Sequence, residues 1–293
     1  MKLLQHKKCV FAIIVLLTII ILISCSCYQS RYSLICTSYD IHTDKIKEPV
    51  RVLQITDLHN SIFGENNQKL VNLSVEQSPD LILITGDLLN SSESRTDIAT
   101  NLITDLSSVV PVYISLGNHE VEYQENFGTD IVTLYETAGA VVLERGYKDI
   151  SVNDQKIRLG GIYGYCLPEK YLKTGEARVK ECAFLSEFQN TDLYTLLMCH
   201  MPVCWMINDG LDEWDVDCVI AGHVHGGQIR FPLLGGLYGP DLGWFPGKLA
   251  GIYSSEDGTK HMVLSRGLGN TEDVPRINNI PEIVVVDLLP DKE

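Results

Sequence analysis

Five short apolar runs in this chain each stop at a cluster of Asp, Asn or His, and this pattern limits the fold more than anything else in the sequence. Val50–Thr56 (VRVLQIT) ends in Asp57-Leu58-His59, and Asp80–Thr85 (DLILIT) ends in Gly86-Asp87. Pro111–Leu116 ends in Gly117-Asn118-His119-Glu120, Leu193–Cys199 in His200, and Val216–Ala221 in Gly222-His223-Val224-His225. Runs of this length rich in Val, Ile and Leu read as buried strands. The stretches between the early runs, 67–77 and 95–108, have helical spacing. Strand, helix, strand, helix predicts an α/β fold with parallel pairing. Further strands are expected at 141–144, 155–164, 261–267 and 282–289, and further helices at 129–138 and 176–189. No repeat, low-complexity tract or linker divides the region after about residue 45.

In an open α/β sheet, the loops leaving the carboxyl ends of the strands meet in one crevice. Taken singly, the polar termini mean little. Asp-x-His carries no signal by itself, Gly-Asp after a strand is usually a turn, Asn118-His119 fits a loop with left-handed geometry, and a lone His200 is more often a hydrogen-bonded structural histidine. Gly-His-Val-His-Gly is a stronger hint. Seven such residues, placed in order behind five apolar runs, are not independent coincidences. Carboxylate, amide oxygen and imidazole nitrogen suit Mn, Fe, Zn or Co. Asp57, His59, Asp87, Asn118, His200, His223 and His225 are too many donors for one transition metal and suit two ions that share a carboxylate, the arrangement that activates water and clamps a phosphoryl group.

The amino terminus obeys other rules. Lys2, Lys7 and Lys8 precede fourteen residues, Val10–Ile23, in which only Thr18 is polar, and no acidic residue occurs before Asp40. This reads as a membrane-directed segment outside the fold. As a helix the run spans about 21 Å, or about 28 Å if extended to Tyr28, against a hydrocarbon core of roughly 30 Å. Leu22-Ile23-Ser24-Cys25 also resembles a bacterial lipobox, with lipid carried on Cys25. Transmembrane anchor and lipoprotein stand side by side as readings, and in both the Lys cluster stays inside while the body faces outward. The expected organisation is an anchor or signal at 1–28, a juxtamembrane linker at 29–48 and a catalytic domain at 49–293.

The formal charge is −15. Four basic residues and no acidic ones lie in the first 31 positions, so the body has twice as many acidic as basic groups. Without a basic groove, extended nucleic acid is not an expected partner. The nine cysteines include no CxxC pair; those of the body, Cys166, Cys182, Cys199, Cys204 and Cys218, read as small buried hydrophobes.

The series D-x-H, G-D, G-N-H-E, H and G-H-x-H resembles the calcineurin-like metallophosphoesterase superfamily, over nearly everything from about residue 50 to 289. The segments GHVHGGQIRFP and SRGLGNTEDVPRINNIPEIVVVDL are similar to its membrane-associated bacterial branch, some members of which act on UDP-2,3-diacylglucosamine. The resemblance implies an α/β sandwich of two mixed β-sheets packed face to face and flanked by helices. It implies one metal on Asp57, His59 and His225, another on Asn118, His200 and His223, and Asp87 bridging. It implies that His119 approaches the phosphate, with Glu120 supporting it. The family often continues its second block as Gly-Asp-x-x-Asp, whereas here Asn90 stands in the last place, which leaves the site near it open. An outward-facing domain would not reach a cytoplasmic nucleotide-linked lipid, so implied substrate and expected topology pull apart.

The loop Gly226–Gly251 carries Phe231, Leu233, Leu234, Leu237, Tyr238, Trp244 and Phe245 among glycines and prolines. It is expected either to pack over a sheet edge or to form an apolar lip for a lipid or glycolipid substrate. Arg266 and Arg276 are candidates for holding a second phosphate or carboxylate, or for structural ion pairs. The expected activity is metal-assisted hydrolysis of a phosphodiester or pyrophosphate that is lipid- or nucleotide-linked. A phosphomonoesterase or protein phosphatase is the alternative, with a non-catalytic metal-binding surface protein behind both.

Overall fold

The computed structural model describes residues 2–164, 183–207, 210–247, 249–270 and 274–291. Helix α1 (Lys2–Tyr32) comes first and runs past the apolar segment, so that at 1.5 Å per residue it reaches about 46 Å. Its stretch His6–Tyr32 is apolar enough and long enough to cross a bilayer, as an anchor or a signal sequence does.

The expected linker at 29–48 is instead structured. It holds the last turn of α1 and strand β1 (Ile35–Thr43), which pairs in parallel with β16 (Glu282–Pro290) along all nine residues. Only two residues separate helix from strand, so the apolar helix joins the sheet without slack. The sequence ICTSYDIHT hides this edge strand because only one of its nine residues, Ile41, is buried.

Two six-stranded sheets make the body. The first has the order β1, β16, β2 (Val50–Ile55), β3 (Leu81–Thr85), β4 (Val112–Ser115) and β5 (Val141–Val142). From β2 to β5 all pairing is parallel, and β16 runs antiparallel to β2. The second has the order β14 (Gly251–Ser254), β15 (His261–Leu264), β9 (Cys218–Ala221), β8 (Tyr194–Cys199), β7 (Gln155–Ile162) and β6 (Gly146–Val152). Between β9 and β14 lie two short hairpins, β10 (Arg230–Phe231) with β11 (Gly235–Gly236), and β12 (Tyr238–Gly239) with β13 (Gly243–Trp244). The expected two mixed sheets with flanking helices are present.

Period-two alternation sorts each strand between layers. Val50 and Val52, Leu81 and Leu83, Tyr194, Leu196 and Met198, Cys218 and Ile220, and Val284, Val286 and Leu288 meet between the sheets. The alternate residues Leu53, Ile55, Ile82, Ile84, Ile283 and Val285 face outward, under helices α2 (Gln68–Glu76), α3 (Asp97–Ser107) and α5 (Ile131–Thr137). Leu197, Cys199 and Val219 pack on the far side under α6 (Ala183–Phe188). Both faces of these strands are buried, which is why the sequence shows continuous apolar runs. At roughly 25 cal/mol per Å², these layers supply the main favourable free energy of folding.

Helix α4 (Asn118–Phe127) was not among the expected helices, because it starts on the Gly-Asn-His-Glu block itself. Cys199, Cys204 and Cys218 are buried free thiols, as expected, while Cys166, Cys182 and the first half of the expected helix at 176–189 lie outside the described residues.

Candidate metal centre

The two sheets meet at their carboxyl ends, and there the loops after β2, β3, β4, β8 and β9 converge. Gln54 ties the sheets together at this end, its amide donating to Thr85 Oγ1 at 2.9 Å and to the Ala221 carbonyl at 2.8 Å. Beyond it, Asp57, His59 and His225 form one buried group, Asp87, His200 and His223 a second, and His59, Asp87 and His119 a third that links them.

On one side, His59 Nε2 and His225 Nε2 stand 3.2 Å apart, with Asp57 Oδ1 at 4.0 and 3.5 Å from them. On the other, His200 Nε2 lies 3.1 Å from Asp87 Oδ2 and 3.2 Å from Asn118 Oδ1. Asp87 Oδ2 is also 3.6 Å from His59 Nε2, so this one carboxylate faces both sides. All seven residues predicted as ligands are therefore brought together.

The backbone here is bent into the left-handed region. Asp57 (φ 53), His59 (φ 45), Asp87 (φ 55), His223 (φ 70) and His225 (φ 49) all adopt it. Asp, Asn and His enter this region more readily than most residues, yet each such position costs on the order of 1 kcal/mol or more. Five of them in one cage mark a conformation held by its surroundings.

Two glycines let the loops close. A Cβ on Gly117 would lie 2.1 Å from Asp87 Oδ1, and one on Gly222 would lie 2.2 Å from Thr56 Oγ1 and 2.5 Å from Asp57 Oδ2. Main-chain donors then orient the carboxylates. His223 N–H donates to Asp57 Oδ1 at 3.0 Å, and His119 N–H to Asp87 Oδ1 at 2.9 Å.

Glu120 is the hub beneath. Its buried carboxylate accepts from the N–H groups of Gly117 (2.8 Å), Asp87 (2.7 Å), Leu88 (2.8 Å) and Leu89 (3.3 Å), and from Tyr135 Oη (2.9 Å). It welds the β3 loop to the start of α4. Burial, and then Asp87, push its pKa up against those hydrogen bonds.

Charge is divided unevenly across the centre. Burial drives His59 down to about 3, and drives His225 well below its ordinary value, with His59 and Arg276 adding to the effect. Burial opposes charge on His200 too, but the Asp87 carboxylate outweighs it and raises this imidazole to about 10. The same pair, against burial, holds Asp87 well below the usual carboxylate range. Burial raises Asp57, against the opposing pull of His200.

This donor set fits a pair of cations. The neutral nitrogens of His59 and His225 face each other, His223 Nε2 is buried with no hydrogen-bond partner among the described residues, and the Asp87 carboxylate lies where positive charge beside His200 would be favoured. His200 Nδ1 donates to the Thr85 carbonyl at 2.6 Å, which fixes the ring with Nε2 aimed inward, as in metal-ligating histidines.

The remaining candidates have other places. Asn90 donates to the His59 carbonyl at 3.3 Å and to Glu93 Oε1 at 2.9 Å, so it braces the loop. Arg266 is ion-paired with Glu282, whose other oxygen accepts its main-chain N–H at 2.9 Å. Arg276 is buried behind His225, its Nη2 3.2 Å from Nδ1 and its Nε donating to the Gly269 carbonyl at 2.7 Å, and burial lowers it to about 10. Arg266 thus makes a structural ion pair, whereas Arg276 makes none among the described residues and hydrogen-bonds to main chain and imidazole instead.

Several contributors carried no recognisable signal in the sequence. They are Gln54, Tyr135, Asn279, which donates to the His225 carbonyl, and Asp241, 3.6 Å from His223 Nε2.

Two cavities adjoin the cage. A polar one of about 560 Å³ has His59, Asn60, Asn90 and Glu93 in its wall, and an apolar one of about 400 Å³ has His225, Ile229, Leu237, Tyr238 and Trp244.

Comparison with known proteins agrees with this geometry. A family model described as calcineurin-like phosphoesterase matches residues 50–227. The uncharacterized protein YpbG of Bacillus subtilis is 27% identical over 246 residues, covering 83% of each chain. Phosphodiesterase YaeI of Escherichia coli is 26% identical over 246 residues, covering 82% of this chain and 83% of its own. Among solved structures, a 5′-nucleotidase precursor from Thermus thermophilus superposes with a TM-score of 0.46 at 11% identity, covering 83% of this chain and 54% of that one.

Proposed function

The chain belongs to the calcineurin-like phosphoesterase family, a metal-dependent hydrolase, and from that premise we propose that it cleaves phosphodiesters or pyrophosphates at the membrane. Asp57, His59 and His225 would hold one ion, Asn118, His200 and His223 the other, with Asp87 between them. The observation that carries the diester reading is the pair of cavities. One is polar and has His59 in its wall, the other is apolar and has His225, and so they give room to two unlike substituents on one phosphorus. A monoester fills only one. The name of the relative YaeI, a phosphodiesterase, points the same way.

Two divalent ions of the Mn, Fe or Zn type, when bound, supply Lewis acidity toward the phosphoryl oxygens and lower the pKa of a water. The chain's own part is placement and proton handling. The Ser91 N–H donates to His119 Nδ1 at 3.2 Å, which leaves the ring proton on Nε2. His119 packs edge-on against His59 with centroids 4.6 Å apart, so that proton is available to a phosphoryl or leaving oxygen over the cage. Glu120 keeps Asp87 and the α4 start in register.

The apolar loop 226–249 supports a lipid-linked substrate. Phe231, Leu233, Leu234, Trp244 and Phe245 are exposed along it, beside the apolar cavity. With α1 as a retained anchor, the domain would sit outside the cytoplasm at the bilayer surface. A reporter fused after residue 291 that works only in the cytoplasm would reverse that topology.

The test is the rate ratio of bis(4-nitrophenyl) phosphate to 4-nitrophenyl phosphate, using the full chain in detergent, stripped of metal and reloaded with Mn²⁺. A ratio well above one, abolished in Asp87→Asn, is expected; a ratio below one would make the protein a monoesterase. His119→Ala should lose on the order of 10²-fold or more in kcat while retaining its metal, and loss of metal instead would remove the proton-donor role.

A further inference from the structure

The polar cavity has a wall that does not come from the catalytic loops. Ser30, Arg31 and Tyr32, the last turn of the membrane helix, line it together with His59, Asn60, Asn90 and Asn270. That turn is fastened to the domain at several points. Ser26 Oγ accepts the Asn278 N–H at 2.6 Å, and the buried Ser30 Oγ accepts the Asn279 N–H at 3.2 Å. Lys69 Nζ donates to the Tyr32 carbonyl at 3.0 Å, and β1 enters the sheet three residues later, at Ile35. Asn279 in turn donates to the His225 carbonyl. The end of the helix is thus tied, through two consecutive residues, to a loop of the metal cage.

Among the described residues, Arg31 is the one arginine or lysine in that wall. It is exposed, and its guanidinium stands 5.7 Å from the ring centroid of Tyr32. The acidic group across the cavity, Glu93, is already engaged, accepting from Asn60 Nδ2 at 3.0 Å and Asn90 Nδ2 at 2.9 Å. A guanidinium fork presents paired donors that match phosphate or carboxylate oxygens. In a chain of net charge −15, a cation at this mouth also opposes the general repulsion of anions.

We propose that the last turn of the membrane helix is a wall of the substrate site and that Arg31 determines specificity by binding a second anionic group on the substituent that enters the polar cavity. This rests on the phosphodiesterase reading above. It makes the helix part of substrate recognition as well as a tether, and it predicts that the preferred substrate carries at least one negative charge beyond the scissile phosphate. Cleavage before Cys25, as at a lipobox, would leave Ser26, Ser30 and Arg31 in place, so the proposal holds for either form of attachment.

The experiment compares two substrates that differ only in that second charge, thymidine 5′-(4-nitrophenyl phosphate) and its 3′-phosphorylated counterpart, with the Mn²⁺-loaded full chain in detergent. The wild type is expected to show a KM about fivefold to tenfold lower for the 3′-phosphorylated substrate at low salt. Arg31→Gln should abolish that preference, bringing the KM ratio of the two substrates to about one, and Arg31→Lys should restore part of it. Equal KM values in the wild type, or a preference that survives Arg31→Gln, would overturn the role of Arg31. Absence of any Asp87-dependent hydrolysis of either substrate would instead overturn the phosphodiesterase reading, and this proposal with it.

Discussion

The cage and its rim are built to opposite specifications. Within the cage, Asp57, Asp87, Glu120 and His200 are buried, each is held by several hydrogen bonds, and five donor residues keep left-handed backbone. At the rim, Arg31 on one side and Trp244 and Phe245 on the other are exposed. The cage is fixed by main-chain geometry that tolerates almost no added atom. The rim consists of side chains that can be exchanged without disturbing what lies beneath. Chemistry is therefore set by the backbone, and selectivity by replaceable surface.

The harshest test of this contrast is a single methyl group. Gly117→Ala puts a carbon where Asp87 Oδ1 and N now lie, 2.1 and 2.6 Å away, although φ −108 and ψ 179 suit alanine well. Conformational strain is thus not the cause of any effect; collision is. Displacing Asp87 by about an ångström should cost on the order of 10²-fold in kcat and about 1–3 kcal/mol of stability. Metal content and kcat measured together check this. An alanine variant with normal turnover would show that the cage has slack and would erase the distinction.

A second test concerns two glutamates. Glu120 is buried, receives five donors and organises the cage. Glu144, half-buried at the sheet edge after β5, has one carboxylate oxygen buried without a hydrogen-bond partner among the described residues, and burial raises its pKa to about 7. Its folded pKa lies above the unfolded value near 4.3. The proton it binds therefore favours the fold fully below that lower value, and the stabilisation is lost as pH rises through 7. Glu144→Gln should leave Tm little changed at pH 5 and raise it by a few degrees at pH 8, for about 1–3 kcal/mol. Equal shifts at the two pH values would show that Glu144 is paired in the fold.

Much of this was legible in the sequence, and the failures have physical causes. The central strands are buried on both faces, so they appear as apolar runs, and their polar ends named the seven residues that the fold brings together. Edge strand β1 has mostly exposed or half-buried side chains and follows an apolar helix, so it read as linker. Glu120 was seen, but its role depends on N–H groups at 87–89 that come near only in the folded chain. Arg276 read as a candidate for a second phosphate or for an ion pair because nothing local announces that Gly269 and His225 will surround it. Local pattern reports a residue's own environment well, and reports poorly what a distant loop will place beside it.

The rim should give the smallest effect. Trp244 stands on β13 with Tyr238 edge-on at 5.3 Å, and both line the apolar cavity beside His225. Trp244 is 70% exposed, so its removal opens no hole in the core and should leave Tm unchanged. If the apolar substituent of a diester rests there, Trp244→Ala forfeits part of one aromatic contact, about 1 kcal/mol, a fivefold rise in KM with kcat within twofold. That rise should appear with a long-chain alkyl 4-nitrophenyl phosphodiester and vanish with the methyl ester, because only the former reaches the cavity. Loss of kcat on both esters would mean that loop 226–249 also positions His225, which would move it from the rim into the cage.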